Sequence, residues 1–421
     1  MNLEGVRISV VVLGDLGRSP RMRYQALSLA AEGAAVDLIG YRQSALPQRL
    51  QENPRVTVHS LPAPRAIDPG RGRRIWWDGL LRLAGQSLRL LRRLLFGAPR
   101  PRILLVQNPP SVPTLAVAWL AARLRGARLV VDWHNFGATL LALKLGEGHR
   151  AVRAMARYER FFGRRADAHL SVSRAMAEEL EEKCGLCDVR VLYDRPPAVF
   201  QPAARHRRTH LLRRLALMEQ APESSGIVVS ATSWTLDEDF SLLIDAVRRI
   251  DRTLSKRRQL ASADDPPSLV FVLTGRGPLR SAYEADFANL DLQHSRILTR
   301  WLTPEDYPLL LAAADLGLCL HRSSSGLDLP MKVADMLGSG LPVCAFDYGP
   351  VLAEQLRTGE NGVLFTTGEE LADRILHLFE GFPGPNSAIA RLREALHNRP
   401  VERWDDGWRR DARRTFEGLL R

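Results

Sequence analysis

Apolar and polar positions alternate in blocks along the chain, and the clearest block lies in its second half. Two short apolar runs, residues 316–320 and 342–346, have the length and composition of buried strands. Between them lie a small-residue loop, residues 321–329, and a predicted helix, residues 330–338, that starts with Pro330, since proline is tolerated at the first helical position. A unit of this length predicts parallel strands, with the loop at their carboxyl ends, where open α/β sheets bind ligands.

The same pattern of apolar runs and helical segments recurs along both halves of the chain. The predicted strands are residues 8–13, 36–39, 56–60, 103–107, 128–131, 168–172, 189–193, 227–230, 269–274, 297–298 and 363–365. The predicted helices are residues 21–32, 149–165, 238–251, 307–314 and 369–380, with others ending near residues 125 and 184. Such alternation predicts an α/β fold made of two doubly wound, Rossmann-like domains.

The proline-rich segment of residues 194–202 is expected to link these two domains. The N-terminal domain then covers residues 1–193 and the C-terminal domain residues 203–382. The polar residues 252–267 predict an exposed loop. Residues 383–421 are expected to form a tail that packs back toward the N-terminal domain.

Polar side chains follow two predicted strands of the first half. The first strand leads into Gly14, Asp15 and Arg18, which a strand-end loop would present to a cleft. The glycines there do not have the G-x-G-x-x-G spacing, so a bound dinucleotide is not expected. A later strand leads into Asp132 and His134. His134 is either a general base or an anchor for its loop, and the pattern leaves both roles open.

The second half carries residues suited to a phosphate and a ribose. Lys332 and Asp335 lie on one face of the predicted helix and can offer a cation and a carboxylate. The serine-rich loop before this helix offers hydroxyl and N–H groups, which favour an anion. An ordinary capped helix with a surface Lys–Asp pair would have the same spacing. The further donor-binding candidates are Ser233, Trp234, Gly275, Arg276, Gly277, Trp301, Leu302, Ser324, Ser325, Gly326 and Leu327.

A basic, leucine-rich segment lies between residues 65 and 102 and contains ten arginines but only two acidic residues. Helical spacing places its leucines, with Trp76 and Trp77, on one broad face and the arginines largely elsewhere. This pattern predicts an interfacial helix on an anionic membrane. A core-facing helix with a solvated basic face is the alternative. The arginines assigned to the membrane or acceptor are Arg82, Arg89, Arg92 and Arg93.

Composition predicts a soluble globular protein with an anionic partner. The 421 residues are 45% hydrophobic and 25% charged, with a net charge of +12; this length suffices for two domains with sizeable cores. Membrane, phosphorylated substrate and nucleic acid would all suit the charge. We expect no nucleic acid, because the arginines interleave with leucines and no groove-reading motif occurs.

The cysteines and the apolar runs bear on compartment. Cys184 and Cys187 have metal-ligand spacing but lack a second pair, so we predict no metal site and a reducing compartment. No apolar run reaches the roughly 18 residues of a membrane-spanning helix. The N-terminus also lacks the pattern of a signal peptide.

Several strings make the chain resemble a known family. Gly275 to Pro278, then Trp301 and Leu302, then the Pro-x-Lys-x-x-Asp pattern ending at Asp335 resemble the donor half of GT-B glycosyltransferases. Longer strings resemble the chitobiosyldiphosphodolichol beta-mannosyltransferase family. They are LGDLGRSPRM (residues 13–22), VDWHN (131–135), SWT (233–235), DEDF (237–240) and SSSGLDLPMKVADM (323–336). The resemblance covers nearly the whole chain.

The resemblance implies a GT-B fold and transfer of mannose from GDP-mannose, in β-1,4 linkage, to a GlcNAc2-diphosphate-dolichol or related polyprenol. This adds the first mannose of the lipid-linked oligosaccharide for N-glycosylation. The reaction would invert the anomeric centre and need no catalytic metal and no other cofactor. A transferase with another nucleotide sugar or another acceptor is the alternative.

An inverting transfer needs a general base on the acceptor side. The candidates are Asp15 and His134, with Asp132 able to orient the histidine, and Asp15 is slightly favoured because it would face the cleft. We expect Arg18, Arg276, Lys332 and the backbone of residues 324–326 to meet the diphosphate. Asp335 is assigned to the ribose, and the backbone near Trp301 and Leu302 to guanine.

The resemblance also implies a place at a membrane. Eukaryotic members begin with a membrane-spanning helix, whereas this sequence begins directly with the first predicted strand. We therefore expect the cytoplasmic face of the endoplasmic reticulum, through the protein surface or an N-terminal anchor that the given sequence lacks. In a prokaryote it would be the cytoplasmic side of the plasma membrane. Other glycosyltransferases of the same pathway are further expected partners.

Overall fold

The computed structural model describes residues 3–63, 75–203, 205–215, 225–260 and 267–421. The chain divides into two compact units. The first unit consists of Met1–Tyr193 with Asp405–Arg421, and the second unit of Asp194–Trp404. The segment expected to be a linker, residues 194–202, therefore groups with the second unit. Of the expected tail, only Asp405–Arg421 groups with the first.

The first unit is built on a parallel sheet. Its described strands are β1 (Arg7–Asp15), β2 (Ala35–Tyr41), β3 (Val56–Leu61), β4 (Ile103–Asn108), β5 (Arg128–Trp133), β6 (Ala168–Ser171) and β7 (Val189–Val191). They lie in the order β3-β2-β1-β4-β5-β6-β7. The central strands are buried apolar runs, as in a sheet covered by helices on both faces. This arrangement brings the carboxyl ends of β1, β4 and β5 side by side.

Helices alternate with these strands. They are α1 (Pro20–Ala31), α2 (Gln48–Gln51), α3 (Ile75–Arg92), α4 (Thr114–Arg125), α5 (Gly137–Leu145), α6 (Arg150–Gly163) and α7 (Arg174–Glu182). A 3-10 turn spans Leu16–Arg18, and a π turn, Arg93–Gly97, extends α3. The sequence pattern missed α5, because its leucine-rich stretch has no polar face that a helical period would reveal.

Strands of the first unit run further than the sequence predicted. β5 was expected to end at residue 131 but continues to Trp133, so Asp132 lies inside a buried strand and not in a loop. Asp15, expected just past β1, is the last residue of that strand. An acidic residue at the end of an apolar run indicates the start of a loop. Asp132 lies inside the sheet instead because Arg21 pairs with its carboxylate there.

The second unit is also built on a parallel sheet. Its described strands are β8 (Gly226–Ala231), β9 (Leu269–Thr274), β10 (Ser295–Arg300), β11 (Leu316–Cys319), β12 (Val343–Phe346) and β13 (Gly362–Phe365), in the order β10-β9-β8-β11-β12-β13. Two apolar clusters of buried residues cover the sheet. The doubly wound α/β prediction is confirmed for both units.

The helices of this part and of the C-terminal segment are α8 (Arg205–Arg214), α9 (Ser241–Leu260), α10 (Arg280–Ala288), α11 (Asp306–Ala313), α12 (Met331–Gly338), α13 (Gly368–Leu378), α14 (Ala388–His397), α15 (Trp404–Asp411) and α16 (Arg413–Gly418). A 3-10 turn spans Pro350–Glu354. Most of the polar segment predicted as a loop, residues 252–260, belongs to α9. The rest of that prediction, residues 261–266, lies outside the described residues.

Candidate active site

The acceptor-side candidates of the first unit collect at three neighbouring strand ends. Asp15 ends β1, Asn108 ends β4, and His134 follows β5 directly. The backbone N–H of His134 donates to the carbonyl oxygen of Asn108 at 2.8 Å, which ties the ends of β4 and β5 together. These residues therefore share one edge of the sheet, as the strand-end argument predicted.

Asp15 holds a turn together. Its Oδ1 accepts hydrogen bonds from the backbone N–H groups of Gly17 at 3.3 Å, Gln43 at 3.0 Å and Ser44 at 3.2 Å. Partial burial acts to raise the pKa of Asp15, but the hydrogen bonds from Ser44, Gln43 and Gly17 outweigh it and leave the pKa below its usual value. A carboxylate with a lowered pKa is a weaker base, so this geometry favours a structural role for Asp15.

Asp132 is fully buried and paired with a cation. Arg21 at the start of α1 donates from Nε to Oδ2 at 2.9 Å and from Nη2 to Oδ1 at 2.8 Å. Gln25, one turn further along α1, donates from Nε2 to Oδ2 at 3.1 Å. Burial acts to raise the pKa of Asp132, but the charges of Arg21 and His134 hold it far below its usual range. Asp132 is therefore a permanent anion.

His134 lies beside that anion with one ring nitrogen buried. Its Nε2 is 3.3 Å from Asp132 Oδ2, an ion-pair distance at which the ring N–H does not meet the geometry of a hydrogen bond. The side chain is 21% exposed, and Nε2 is its buried nitrogen. The carboxylate favours a proton on Nε2, which leaves Nδ1 as the nitrogen able to accept a proton.

Glu159 of α6 supports these loops, and the sequence analysis did not single it out. Its buried carboxylate accepts from Asn108 Nδ2 at 3.1 Å and Ser111 Oγ at 2.7 Å. It also accepts from the backbone N–H groups of Gly137 at 2.7 Å and Ala138 at 3.1 Å. Glu159 thereby fixes the loop after β4 and the start of α5 on either side of His134. In the sequence it is one acid within a basic helix, which gave no signal.

In the second unit, the loops after β8 and β9 approach each other closely. A Cβ atom on Gly275 would lie 1.9 Å from the carbonyl oxygen of Thr232, and one on Gly277 would lie 1.7 Å from that of Ser233. Gly275 also has a φ of +113°, a conformation that glycine adopts most readily. Only glycine fits at both positions, because the two loops pack directly against each other there.

These two loops form one wall of a pocket of about 330 Å³, which lies within the usual size range of ligand sites. The lining residues are Ala231, Thr232, Ser233, Thr274, Gly275, Trp301, Leu302, Thr303, Pro304, Tyr307 and Lys332. Ser233, Gly275, Trp301, Leu302 and Lys332 were all predicted donor-binding residues, and the structure brings them together here.

A buried ion pair sets the position of Lys332 in this pocket. Lys332 Nζ contacts Glu238 Oε1, and Glu238 is almost completely buried. The other oxygen, Oε2, accepts from the backbone N–H groups of Ser233 at 2.8 Å and Trp234 at 3.1 Å. Burial acts to lower the pKa of Lys332, but the charge of Glu238 outweighs it, so the pKa is raised and the ammonium group stays charged. The sequence analysis placed Glu238 only at the start of a predicted helix and gave it no role in the site.

Arg276 stacks on Trp301. Its guanidinium carbon lies 4.0 Å from the centroid of the Trp301 ring, and that ring is 51% exposed. This contact gives the pocket rim a flat, positively charged surface. Arg276 was expected to meet the diphosphate directly, and its stacked position adds a role in orienting the Trp301 ring.

The serine-rich loop, predicted to offer hydroxyl and N–H groups to a phosphate, makes hydrogen bonds within itself. Ser323 Oγ donates to Asp328 Oδ1, and Asp328 in turn lies 3.2 Å from His321 Nε2 through its other oxygen. The backbone N–H of Gly326 donates to Ser323 Oγ at 2.9 Å, and that of Leu327 to Ser325 Oγ at 3.2 Å. In this state the two N–H groups are therefore already occupied.

The helix after this loop begins within one residue of its predicted start, and the assignment of the serines to a phosphate stays a prediction. α12 begins at Met331 with Pro330 as its N-cap residue, so an extended segment separates Ser324, Ser325 and Gly326 from the helix N-terminus. Among the described residues no side chain caps that N-terminus. Its first N–H groups, next to Lys332, are thus the better candidates for an anion.

His321 was not singled out from the sequence. Its Nδ1 lies 3.0 Å from Asp237 Oδ2, and its Nε2 lies 3.2 Å from Asp328 Oδ2. Burial acts to lower the pKa of His321, but hydrogen bonds with Asp237 and Asp328 outweigh it and raise the pKa. His321 therefore joins the loop after β8 to the loop after β11 through its two carboxylate partners.

The side chain of Trp234 does not match its donor-site prediction, and the assignment of Asp335 to the ribose stays a prediction. Trp234 is fully buried and stacks on Phe240 with ring centroids 4.6 Å apart, so its side chain belongs to the core and not to the pocket surface. Asp335 shares a helix face with Lys332, as predicted, but the described pocket wall does not include it. Burial and the neighbouring carboxylate of Asp194 raise the pKa of Asp335 well above its usual value. For Trp234, which lies in the loop after β8, the sequence pattern did not indicate that the side chain faces the core.

Two other predicted donor residues stand in the first unit. Gly14 is the residue before Asp15 near the end of β1, and Arg18 ends the 3-10 turn Leu16–Arg18 with an exposed side chain. Their assignment to the donor stays a prediction, as does that of Ser324.

An exposed apolar surface runs over several helices of the first unit; we call it the leucine-rich helical face. α3 packs against α4, α4 against the π turn and α6, and α5 against α6. Its exposed members are Leu81 and Leu88 of α3, Phe96 of the π turn, Leu120 and Leu124 of α4, Leu140, Leu143 and Leu145 of α5, and Phe161 of α6. Arg89 and Arg92 are exposed, and Arg82 and Arg93 are half-buried.

The basic segment matches its prediction only in part. α3 is an amphipathic helix that buries Leu90 on one side, and the π turn buries Leu94. It is thus a core-facing helix that also exposes apolar side chains. The side chains of Trp76 and Trp77, and residues 65–74, lie outside the described part of the chain. None of the described helices is sufficiently long and apolar to cross a bilayer.

Comparison with known proteins identifies relatives of both halves. Residues 17–193 match a glycosyl transferase 4-like domain, and residues 227–381 match glycosyl transferases group 1. The chitobiosyldiphosphodolichol beta-mannosyltransferase of Mus musculus is 41% identical over 95% of this chain and 86% of its own length. The enzyme of the same name from Homo sapiens is 39% identical over 95% of this chain and 90% of its own length. A protein of Arabidopsis thaliana named UDP-glycosyltransferase TURAN is 41% identical over 96% of this chain and 95% of its own length.

Solved structures agree on the fold. A sucrose-phosphate synthase from Thermosynechococcus elongatus has a TM-score of 0.69 at 14% identity and covers 99% of both chains. Anabaena HepE in complex with UDP has a TM-score of 0.66 at 15% identity, covering 98% of this chain and 100% of its own. At such identity these likenesses show the two-domain GT-B glycosyltransferase fold alone.

Proposed function

The chain belongs to the chitobiosyldiphosphodolichol beta-mannosyltransferase family, and on this premise we propose that it transfers mannose to a chitobiose that is carried on a polyprenyl diphosphate. The observation that carries the proposal is the match to beta-mannosyltransferases of this name over 95% of the chain. The pocket of the second unit, with its buried cation, is suited to the nucleotide sugar. We further propose GDP-mannose as donor and inversion at the anomeric carbon.

We assign the general base to His134. Inverting transfer requires a group that takes the proton from the acceptor hydroxyl as its oxygen attacks the sugar and the nucleotide leaves. The buried Asp132 favours the tautomer of His134 that carries its proton on Nε2, so Nδ1 can accept. Asp15, the earlier preference, is engaged by three backbone N–H groups and has a lowered pKa, which makes it the weaker base.

The leaving diphosphate develops negative charge that cations and N–H donors must meet. Lys332 is suited to this role because Glu238 keeps its ammonium group charged at the pocket wall. The uncapped N-terminus of α12 is a second favourable site for an anion. We propose that these groups suffice without a metal ion. Transfer should then persist in excess EDTA, and a loss that Mg²⁺ restores would contradict this part of the proposal.

The names of the relatives differ in the nucleotide-sugar donor that they imply. The Arabidopsis protein is called a UDP-glycosyltransferase. A transferase for a UDP-sugar is therefore the second candidate. The test uses a chitobiose-diphosphate-phytanyl acceptor with GDP-mannose, UDP-glucose or UDP-GlcNAc, and measures the released nucleotide and the glycolipid product. Release of GDP with a mannosylated product is expected. Product formation only with a UDP-sugar would overturn the donor assignment.

The base is tested in the same assay. His134→Gln and Asp15→Asn are compared for turnover and, separately, for GDP-mannose binding by calorimetry. We expect His134→Gln to lose a factor of roughly 10² to 10⁴ in turnover with donor binding unchanged, which is the usual contribution of a general base. If Asp15→Asn has this effect and His134→Gln does not, the assignment must be reversed.

We propose that the leucine-rich helical face rests on the membrane that carries the acceptor. Exposed leucines on neighbouring helices, with Arg89 and Arg92 beside them, combine apolar insertion with attraction to anionic lipid. Each basic residue near such a surface adds about 1 kcal/mol of attraction. As for the dolichol-pathway relatives, we propose that this membrane is that of the endoplasmic reticulum and that the protein acts on its cytoplasmic side.

Flotation with vesicles tests this surface. Leu143→Ser with Leu124→Ser should weaken binding to all vesicles, and Arg89→Gln with Arg92→Gln should weaken binding to anionic vesicles only. Val199→Ser in the second unit is the matched control, because Val199 is 60% exposed and Leu143 is 64% exposed. Flotation that none of the four substitutions alters would remove this face from the proposal.

A further inference from the structure

A buried chain of polar groups connects the C-terminal segment to the end of β5 within the first unit. Trp408 of α15 donates from Nε1 to Gln25 Oε1 at 2.7 Å. Gln25 donates from Nε2 to Asp132 Oδ2 at 3.1 Å. The same oxygen lies 3.3 Å from His134 Nε2. Trp408, Gln25 and Asp132 are all essentially inaccessible to solvent, so water does not compete for these contacts.

The indole fixes which way the Gln25 amide faces. Tryptophan Nε1 is a donor only, so the amide oxygen must point toward Trp408 and the amide nitrogen toward Asp132. A rotated amide would bring two N–H donors together and place its oxygen against a carboxylate. Both contacts would be unfavourable at full burial, where an unpaired polar group loses its hydration without a replacement partner.

The orientation of Gln25 matters because Asp132 Oδ2 serves three partners. Arg21 Nε donates to it at 2.9 Å and Gln25 Nε2 at 3.1 Å, while His134 Nε2 lies at 3.3 Å. Arg21 is the cation that faces Asp132, and the ring of His134 is the other titratable group beside it. Arg21 already contacts both oxygens of the carboxylate, so without the Gln25 donor Arg21 alone sets its rotation and Oδ2 can move away from the histidine ring. It would then present less of its charge to the histidine ring.

Simple burial does not explain the Trp408 contact. Trp234 is also fully buried, yet its Nε1 has no hydrogen-bond partner. Trp408 also packs on Phe416 with ring centroids 5.9 Å apart and an interplanar angle of 22°. Its ring thus contributes to the core, and its N–H has a separate contact that a phenyl ring could not make.

We propose that Trp408 and Gln25 are positioning residues for His134, which hold the carboxylate of Asp132 so that the histidine keeps its proton on Nε2 and exposes Nδ1. The proposal rests on His134 being the general base of the transfer. It gives the C-terminal segment a part in the chemistry beyond closing the core of the first unit.

The experiment compares Trp408→Phe with Phe416→Leu in the full chain. Trp408→Phe removes the N–H and keeps most of the ring, whereas Phe416→Leu disturbs the same packing layer and leaves the hydrogen bonds in place. The ring nitrogens of His134 are followed by ¹H–¹⁵N NMR between pH 5 and 9, with His134→Gln identifying their signals. Turnover is measured over the same pH range.

We expect the wild type and Phe416→Leu to hold the Nε2-protonated tautomer. Trp408→Phe should populate the other tautomer, shift the titration of His134 and the pH profile of turnover together, and lower turnover about tenfold, as loss of a histidine's outer partner does elsewhere. Gln25→Leu should reproduce these changes. An unchanged tautomer and titration in Trp408→Phe would overturn the proposal.

Failure of the premise has a different signature. If His134→Gln retains full turnover, the base assignment falls and Trp408 is no longer a positioning residue, whatever the tautomer shows. If His134→Gln is inactive and Trp408→Phe leaves the histidine signals unchanged, the positioning role of Trp408 and Gln25 is overturned and the base assignment stands.

Discussion

In each unit, one buried carboxylate determines the geometry of the candidate site. Glu238 accepts from two backbone N–H groups and pairs with Lys332, so one carboxylate fixes both a loop and a cation. Asp132 pairs with Arg21 and lies at an ion-pair distance from His134. A charge removed from water stays ionised only when its partners offset the loss of hydration. In each unit a buried carboxylate therefore holds the candidate functional side chain in place: Glu238 holds Lys332, and Asp132 holds His134.

The Glu238–Lys332 pair makes a prediction that separates stability from chemistry. Glu238→Gln or Lys332→Met alone should lower the free energy of unfolding by about 3–5 kcal/mol, because each leaves an unpaired buried charge. The double substitution should recover most of that stability but none of the transfer. Urea unfolding and the glycolipid assay measure the two quantities. Recovery of transfer in the double variant would show that Lys332 does not meet the diphosphate.

His321 predicts a pH-dependent stability. Its pKa in the folded protein is raised by Asp237 and Asp328, so its stabilising effect is full below the unfolded value of about 6.5 and is lost as pH rises through the folded pKa. The stability difference between wild type and His321→Gln should therefore be larger at pH 6 than at pH 9. Thermal unfolding at both pH values measures it, and a difference that grows with pH would contradict the assignment.

At the level of elements, strand-end loops make the sites because parallel strands bring their carboxyl ends to one edge. β1, β4 and β5 do so in the first unit, and β8 and β9 in the second. The loop after β9 can approach the loop after β8 only because Gly275 and Gly277 have no side chain. The pocket shape is thus a consequence of two glycines at adjacent strand ends.

Gly277→Ala should open this pair of loops. The added methyl group would lie 1.7 Å from the Ser233 carbonyl oxygen, so the backbone must move. We expect a loss of about 1–3 kcal/mol in unfolding free energy, as for an overpacked core, and weaker binding of GDP by calorimetry. Gly418→Ala is the control, since a Cβ there has no neighbour within 4 Å. Unchanged GDP binding in Gly277→Ala would mean that the loop contact does not shape the nucleotide site.

At the scale of the whole molecule, the chain returns to its first unit after building the second. Asp405–Arg421 groups with Met1–Tyr193, and Trp408, Ala412 and Phe416 are buried there. The last residues therefore stabilise the sheet that the first residues begin. The same segment contains Trp408, which donates a hydrogen bond to Gln25.

Phe416→Ala should consequently weaken one unit only. Removal of a fully buried phenyl ring costs about 3–5 kcal/mol, and the loss should appear as faster hydrogen exchange in β1, α1 and β2. Peptides from β8, β9 and α9 should keep their protection. Leu420→Ala, at a half-buried position of the same segment, is the control. Equal loss of protection in both units would contradict the division of the chain.

Much of the fold could be predicted because it depends on local pattern. Each strand of the second unit was predicted near its observed position, and β9 was predicted with its observed bounds, Leu269–Thr274. The pattern gave no prediction for α2, α8 and α10. It also failed for α5, whose leucines show no polar alternation, and for the part of α9 beyond residue 251, whose polarity indicates a loop. In both cases neighbouring elements, not the local pattern, stabilise the helix.

The sequence by itself determined the fold class, the family and five of the eleven pocket-lining residues, because buried strands and strand-end motifs consist of consecutive residues. The tertiary structure decided which polar groups are paired. Asp132 with Arg21, Glu238 with Lys332, and Trp408 with Gln25 join residues 111, 94 and 383 positions apart. Ionisation and orientation depend on such distant partners, so the choice of His134 over Asp15 required the folded chain.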